Sequence, residues 1–278
     1  MMLLGFSHLI SAQHSCCTKT SDRDVNAFAA LGNNKAFVNA HLSPLPLSFT
    51  PVTGKMVSAK TADGKDTKFF EVKSEQGNRN VILMFHEWWG LNEYIQREAE
   101  KLEVETGFTV LALDLYEGKV TANPEEADKL MQGTSNDRAR AIIQAVINYA
   151  GKGSKIQTIG WCFGGGWSLQ AAMMAGKQNA GCVMYYGMPE TDVNKIKSIS
   201  GPVLGVFATL DEWITPELAL AFEKIMKGNG KEMSVLNYKA YHAFANPSNP
   251  QYEKEFADDA HVKAVAFFKK NGAAPARK

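Results

Sequence analysis

A repeated switch in hydrophobic period constrains this chain more than any other feature. From Lys55 onward, short continuous apolar runs alternate with longer amphipathic ones. Val81–Phe85 (VILMF) is apolar at every position, as expected of a parallel strand buried on both faces. Asn92–Thr106 sets its charges on one side against Leu91, Ile95, Ala99 and Leu102 on the other, which predicts a helix. Phe108–Leu113, Lys155–Trp161, Cys182–Tyr186, Pro202–Ala208 and Met233–Tyr238 read as further strands. Glu125–Gln132, Asp137–Ala150, Gly164–Ala175, Thr215–Met226 and Tyr252–Lys270 read as helices between and after them. Ser135-Asn136 offers a cap, Gly151 a stop and Pro216 a first-turn proline. Strict alternation of this kind predicts an α/β fold with a mostly parallel central sheet and helices on both faces. Neither an internal repeat nor a second core pattern interrupts it, so residues 51–278 are expected to form one domain.

Composition excludes several alternatives. Thirty basic residues stand against 29 acidic ones in 278, and 45% of the chain is hydrophobic, which is globular rather than disordered or fibrous. A net charge of +1 removes the sequence-independent drive toward nucleic acid. Four cysteines make no disulfide scaffold. No apolar run reaches the roughly 18 residues of a membrane helix.

The first fifty residues differ from the rest. They hold five of the 59 charged side chains, yet two of the four cysteines and three of the six histidines. They are expected to be a leader and linker, with a targeting role for residues 1–17 as one reading. Met1–Ala12 lacks the basic n-region and long apolar core of a secretory signal. Cys16 and Cys17 could carry a lipid, or bind metal with His14, although adjacent cysteines suit a tetrahedral site poorly. The plainest reading is a disordered leader on a cytoplasmic protein, with export or lipid anchoring as the alternative. Leu42–Leu47 (LSPLPL) reads as extended, because each proline drives its predecessor out of helix.

The sharpest chemical signal is Gly160-Trp161-Cys162-Phe163-Gly164-Gly165-Gly166, with a strand leading in and a helix leading out. That is the context of the G-x-S-x-G nucleophile elbow, here centred on cysteine. The turn brings residues two before and two after the nucleophile too close for a Cβ. It also sets the N–H of Phe163 and a helix N-terminus beside the sulfur. A glycine-rich helix start with a buried cysteine is the plainer alternative. The candidate partners follow in the order this architecture uses. Asp211 follows the strand ending at Ala208, and His242 follows the strand ending at Tyr238. Three suitable residues therefore fall on the carboxyl edge of one sheet, where open α/β sheets keep their sites. After the strand Val81–Phe85 comes His86-Glu87-Trp88-Trp89-Gly90. In this α/β-hydrolase arrangement that loop supplies the second oxyanion donor, assigned to the N–H of Trp88. Glu87, in so aromatic a setting, is expected to have a perturbed pKa.

Together HEWWGLN (86–92), LDLYEG (113–118), GWCFGGG (160–166), YYG (185–187), TLDEWITP (209–216) and YHAFANP (241–247) resemble the dienelactone hydrolase family. These are cysteine-dependent members of the α/β-hydrolase fold, and the resemblance runs from about Val52 to Phe268. It implies Cys162 as nucleophile, His242 as base and acid, Asp211 as its orienter, and Glu87 as the group that keeps the resting thiol neutral. The implied reaction is hydrolysis of a lactone or carboxylic ester through a tetrahedral intermediate on the N–H groups of Trp88 and Phe163, then a thioester. The best-studied members of that family hold a substrate carboxylate with two arginines. One of those positions is Asn246 here, and residues 117–127 contain no arginine, only Lys119. Neither replaces a bidentate clamp, so the dianionic lactone is not the expected substrate. The expected pocket is Trp89, Tyr116, Trp161, Trp213, Phe244 and Asn246. Alternatives are a carboxylesterase, thioesterase or acyl transferase of the same fold, or a non-catalytic small-molecule binder. Expected partners are a small lactone or ester and, at most, further copies of the chain as a small homo-oligomer. No metal, cofactor or nucleic acid is expected.

Overall fold

A computed structural model describes residues 23–273. Eight strands form one sheet: β1 (Lys55–Lys60), β2 (Asp66–Val72), β3 (Asn80–Phe85), β4 (Thr109–Leu113), β5 (Lys155–Trp161), β6 (Asn179–Tyr185), β7 (Val203–Ala208) and β8 (Met233–Tyr238). Their order is β1-β2-β4-β3-β5-β6-β7-β8. The pairs β1–β2 and β2–β4 are antiparallel, and all others are parallel. Helices α3 (Glu93–Thr106), α4 (Pro124–Gly133), α5 (Asn136–Ala150), α6 (Phe163–Ala175), α7 (Val193–Lys197), α8 (Pro216–Gly228) and α9 (Lys254–Gly272) lie between and after the strands. This is the mostly parallel α/β sheet that the alternation predicts.

Local chemistry accounts for the boundaries. The Asn92 side chain caps α3 by accepting from the N–H of Ile95, and Gly107 ends that helix at φ 70°. β3 is buried at all six positions, as the apolar run requires. α6 is buried almost all round, so its small residues are packing requirements rather than an amphipathic stripe.

Two features differ from the sequence expectation. The hairpin β1–β2 escapes the period rule because β1 is an edge strand with exposed or half-exposed residues throughout. More consequential is the segment before it. The expectation of a disordered leader is corrected for residues 23–41, which form α1 (Arg23–Leu31) and α2 (Lys35–Ala40). Val25, Phe28, Phe37 and Val38 are buried in the same core as the sheet. Each such side chain contributes roughly 1.5–3 kcal/mol when taken from water, enough to hold a segment poor in charge against the body. Residues 42–54 contain no helix or strand, as the prolines predict, yet they are tied down. Glu100 accepts from the N–H groups of Val52, Thr53 and Gly54. The readings placed on residues 1–17, including His14, Cys16 and Cys17, lie outside the described residues.

Candidate active site

The carboxyl ends of β3, β5, β7 and β8 meet in one place. β5 delivers Cys162, whose backbone sits at φ 55° and ψ −118°. A Cβ on Gly160 would lie 2.1 Å from the Gly164 carbonyl, and one on Gly164 would lie 2.3 Å from the His86 carbonyl. Both contacts are with backbone that cannot give way, so glycine is required for the turn to close. Of the four non-glycine residues with positive φ among the described residues, three surround this site: Cys162, Tyr186 and Ala243. Each such conformation costs about 1–3 kcal/mol and persists only where the surroundings impose it.

Asp211 and His242 lie on the same edge. Asp211 is fixed by two backbone donors, the N–H groups of Trp213 and Ile214, each 2.9 Å from Oδ1. Its other oxygen accepts from His242 Nδ1 at 2.6 Å. That bond puts the ring proton on Nδ1 and leaves Nε2, which is buried and has no hydrogen-bond partner among the described residues. Burial opposes a charge on His242, but Asp211 and the neighbouring Cys162 outweigh it and hold its pKa well above the usual histidine value. Burial likewise acts against the Asp211 carboxylate, yet His242 and the two N–H donors hold it below the usual range. The Cys162 thiol is pushed up by burial, against the pull of His242 and the Phe163 N–H.

Glu87 follows β3 and is buried. Burial raises its pKa to about 8, partly offset by His242 and by the Asn246 amide, which donates to Oε2 at 2.6 Å. Glu87 is therefore mostly a neutral acid at pH 7. It is close enough to influence Cys162 electrostatically, but no hydrogen bond joins the two among the described residues. Trp88 is fully buried, and Phe163 opens α6. His86, between β3 and Glu87, is structural: its Nδ1 donates to the Glu87 carbonyl and its Nε2 accepts from the N–H of Leu115.

The expected pocket residues divide. Trp89, Trp213 and Asn246 border a cavity of about 20 Å³ together with His41, Glu87 and His242. Trp161 and Asn246 line a larger cavity, about 230 Å³, on the other side of Glu87. Tyr116 packs on His86 and Phe163, and Phe244 on Tyr186 and Tyr238, so both act as backing rather than lining.

One residue at the site has no counterpart in the sequence reading. His41, immediately after α2, points Nε2 at the Cys162 sulfur from 3.7 Å. Its ring stacks on Trp88 at 4.1 Å, while Phe37 packs against both Trp88 and Trp213. Burial, reinforced by His242, lowers its pKa to about 3 and keeps the ring neutral. The one available signal was the short amphipathic pattern capped by Asn34, which says a helix forms but not where it docks.

Comparisons agree with this architecture. A sequence model of the dienelactone hydrolase family matches residues 68–272. Protein usf of Aquifex pyrophilus is 30% identical over 200 residues, covering 68% of this chain and 87% of its own length. Carboxymethylenebutenolidase of Pseudomonas sp. (strain P51) is 24% identical, covering 70% of this chain and 86% of its own. Among solved structures, the dienelactone hydrolase-like promiscuous phosphotriesterase P91 from metagenomic libraries superposes with a TM-score of 0.67 at 22% identity. That likeness covers 79% of this chain and 99% of P91, and it speaks to the fold alone. With a family match across most of the folded body, and the sheet order and elbow geometry to accompany it, the chain belongs to the dienelactone hydrolase family and has the α/β-hydrolase fold.

Proposed function

We propose that the protein hydrolyses small lactones or carboxylic esters by a Cys162–His242–Asp211 triad through a thioester. The observation that carries this reading is the 2.6 Å bond between Asp211 and His242 Nδ1, beside a cysteine on a strained strand-to-helix turn. Asp211 fixes the tautomer that leaves His242 Nε2 free to exchange a proton with the sulfur. The thiolate attacks the carbonyl carbon as the imidazole takes the thiol proton. The oxyanion that forms is received by the N–H groups of Phe163 and Trp88. Collapse expels the alkoxide, which takes the proton from His242. Water, deprotonated by the same ring, then hydrolyses the thioester and returns the thiol.

Glu87 contributes by being neutral at rest. A second anion beside the sulfur would disfavour the thiolate, and burial prevents it. The indoles of Trp89 and Trp213, with Asn246 in place of an arginine, favour an apolar or aromatic ester over a dianionic lactone. The test is hydrolysis of nitrophenyl acetate, with and without a carboxylate-bearing lactone as competitor. Cys162→Ala should abolish turnover while keeping the fold, and mass spectrometry of the quenched wild type should show an acyl adduct on Cys162. Full activity in Cys162→Ala would refute the triad.

A further inference from the structure

One set of potential metal donors stands together among the described residues: His41, Cys162 and His242, whose ligand atoms lie within 4.8 Å of one another. The hydrolytic reading uses two of them and leaves His41 without a role. Hydrogen bonds fix the protons of both rings. His41 Nδ1 lies 2.8 Å from the Phe37 carbonyl, which only accepts, so the proton is there and Nε2 presents a lone pair to the sulfur. His242 Nδ1 donates to Asp211, and its buried Nε2 faces the Cys162 sulfur. The one sulfur thus lies between the Nε2 lone pair of His41 and the Nε2 of His242, and a single proton cannot satisfy both contacts. A cation satisfies all three donors at once.

The dimensions suit such an ion. A tetrahedral zinc site, with Zn–S about 2.3 Å and Zn–N about 2.0–2.1 Å, has an S–N edge of about 3.6 Å. The Cys162–His41 separation is 3.7 Å. Each ring is backed by a carboxylate or a backbone carbonyl, the support that orients metal-binding imidazoles. The cavity bordered by His41 and His242 is about 20 Å³, and roughly 10–15 Å³ suffices for one water. A water held there would supply the fourth ligand.

We propose that His41, Cys162 and His242 form a binding site for a borderline-soft divalent cation of the zinc class. A thiolate and two imidazoles select such an ion over magnesium or calcium. Binding forms one metal–sulfur and two metal–nitrogen bonds and displaces the protons held on the sulfur and on His242 Nε2 into solvent. No oxidation state changes. The bound ion occupies the thiolate and His242 Nε2, so it inhibits hydrolysis. That consequence rests on the triad reading above; the binding itself does not.

The full-length chain, stripped with a chelator, is titrated with Co²⁺ as the probe. One equivalent should produce thiolate-to-cobalt charge-transfer absorption, tetrahedral d–d bands and release of protons to solvent, and Zn²⁺ should displace the cobalt. Cys162→Ser should lose the charge-transfer band. His41→Ala should weaken Zn²⁺ binding at least tenfold, the lower bound for disturbing a metal ligand's support, and His41→Cys, which keeps a donor, should recover it. The site is overturned by a wild-type titration with no charge-transfer band, or by wild-type affinity in a folded His41→Ala. A cobalt spectrum in a protein without esterase activity would keep the site and sink the hydrolytic reading.

Discussion

At the level of single residues, the site depends on backbone closeness as much as on side-chain chemistry. Gly164→Ala would drive a methyl into the carbonyls of His86 and Phe85, 2.3 and 2.5 Å away. Neither is the flexible end of a side chain, so the elbow itself must move. The expected loss is at the upper end of overpacking costs, about 3 kcal/mol or more, read as a lowered urea midpoint, with activity lost in whatever protein still folds. Asp211→Asn is the opposite case, since it keeps shape and alters a proton. The amide can present its N–H to His242 Nδ1 and so favour the wrong tautomer. Expected is an intact fold with kcat lower by roughly 10²–10⁴-fold; a loss under about tenfold would show that Asp211 only packs. The order Cys162, Asp211, His242 was legible in the sequence because each follows a strand that its own apolar run announces. His41 was not. It comes 121 residues before Cys162, and no spacing rule links a helix end to a distant strand end. Asn246 was legible as a missing arginine, but not as the amide that holds Glu87.

Among the secondary-structure elements, α1 and α2 change how the site is reached. The parallel strands were readable from continuous apolar runs, whereas α1 and α2 are short and hide their apolar residues in a segment dominated by small and polar ones. Their effect is to roof the sulfur. α2 ends at His41, and Phe37 fills the space between Trp88 and Trp213. The remaining cavity of about 20 Å³ admits a water but no ester. Substrate entry to the buried sulfur is therefore expected to involve lifting of α2. Phe37→Ala removes the largest anchor of that roof, a ring that is fully buried. Burial of a phenylalanine is worth about 3–5 kcal/mol against alanine, and here most of the loss falls on the docking of α2 rather than on the sheet. Iodoacetamide should alkylate Cys162 at least tenfold faster in Phe37→Ala, by the population-shift relation of about 1.4 kcal/mol per factor of ten. The melting temperature should change little. Unchanged alkylation together with a large drop in melting temperature would show that α2 is part of the rigid core and not a movable cover.

For the molecule as a whole, the buried site makes stability depend on pH in a way that can be worked out by sign. Glu87 has a folded pKa of about 8 against 4.5 ordinarily, while His41 and His86 stand at about 3 and about 4 against 6.5. Between pH 4.5 and 6.5 the unfolded chain holds protons on both histidines that the folded chain lacks, and the folded chain holds one on Glu87 that the unfolded chain lacks. The unfolded state is ahead by one proton, so stability rises with pH, by about 1.4 kcal/mol per unit. Above pH 6.5 the difference from His41 and His86 vanishes, while Glu87 until it ionises near pH 8, and the raised His242 and His261, still separate the states. Now the folded chain holds more protons, and stability falls as pH rises. His242, raised in the folded state, steepens that fall. Maximum stability is expected close to pH 6.5, the ordinary histidine value. Urea unfolding on either side of that value checks it, and Glu87→Gln separates the causes. The amide cannot ionise, so Glu87→Gln should flatten part of the alkaline limb, leaving the share of His242 and His261, and should steepen the acid limb, where the unfolded chain is then ahead by two protons rather than one. A wild-type midpoint that keeps climbing through pH 8 would mean that Glu87 is ionised in the folded protein. The same result would remove the neutral carboxyl on which the resting state of Cys162 is argued to depend.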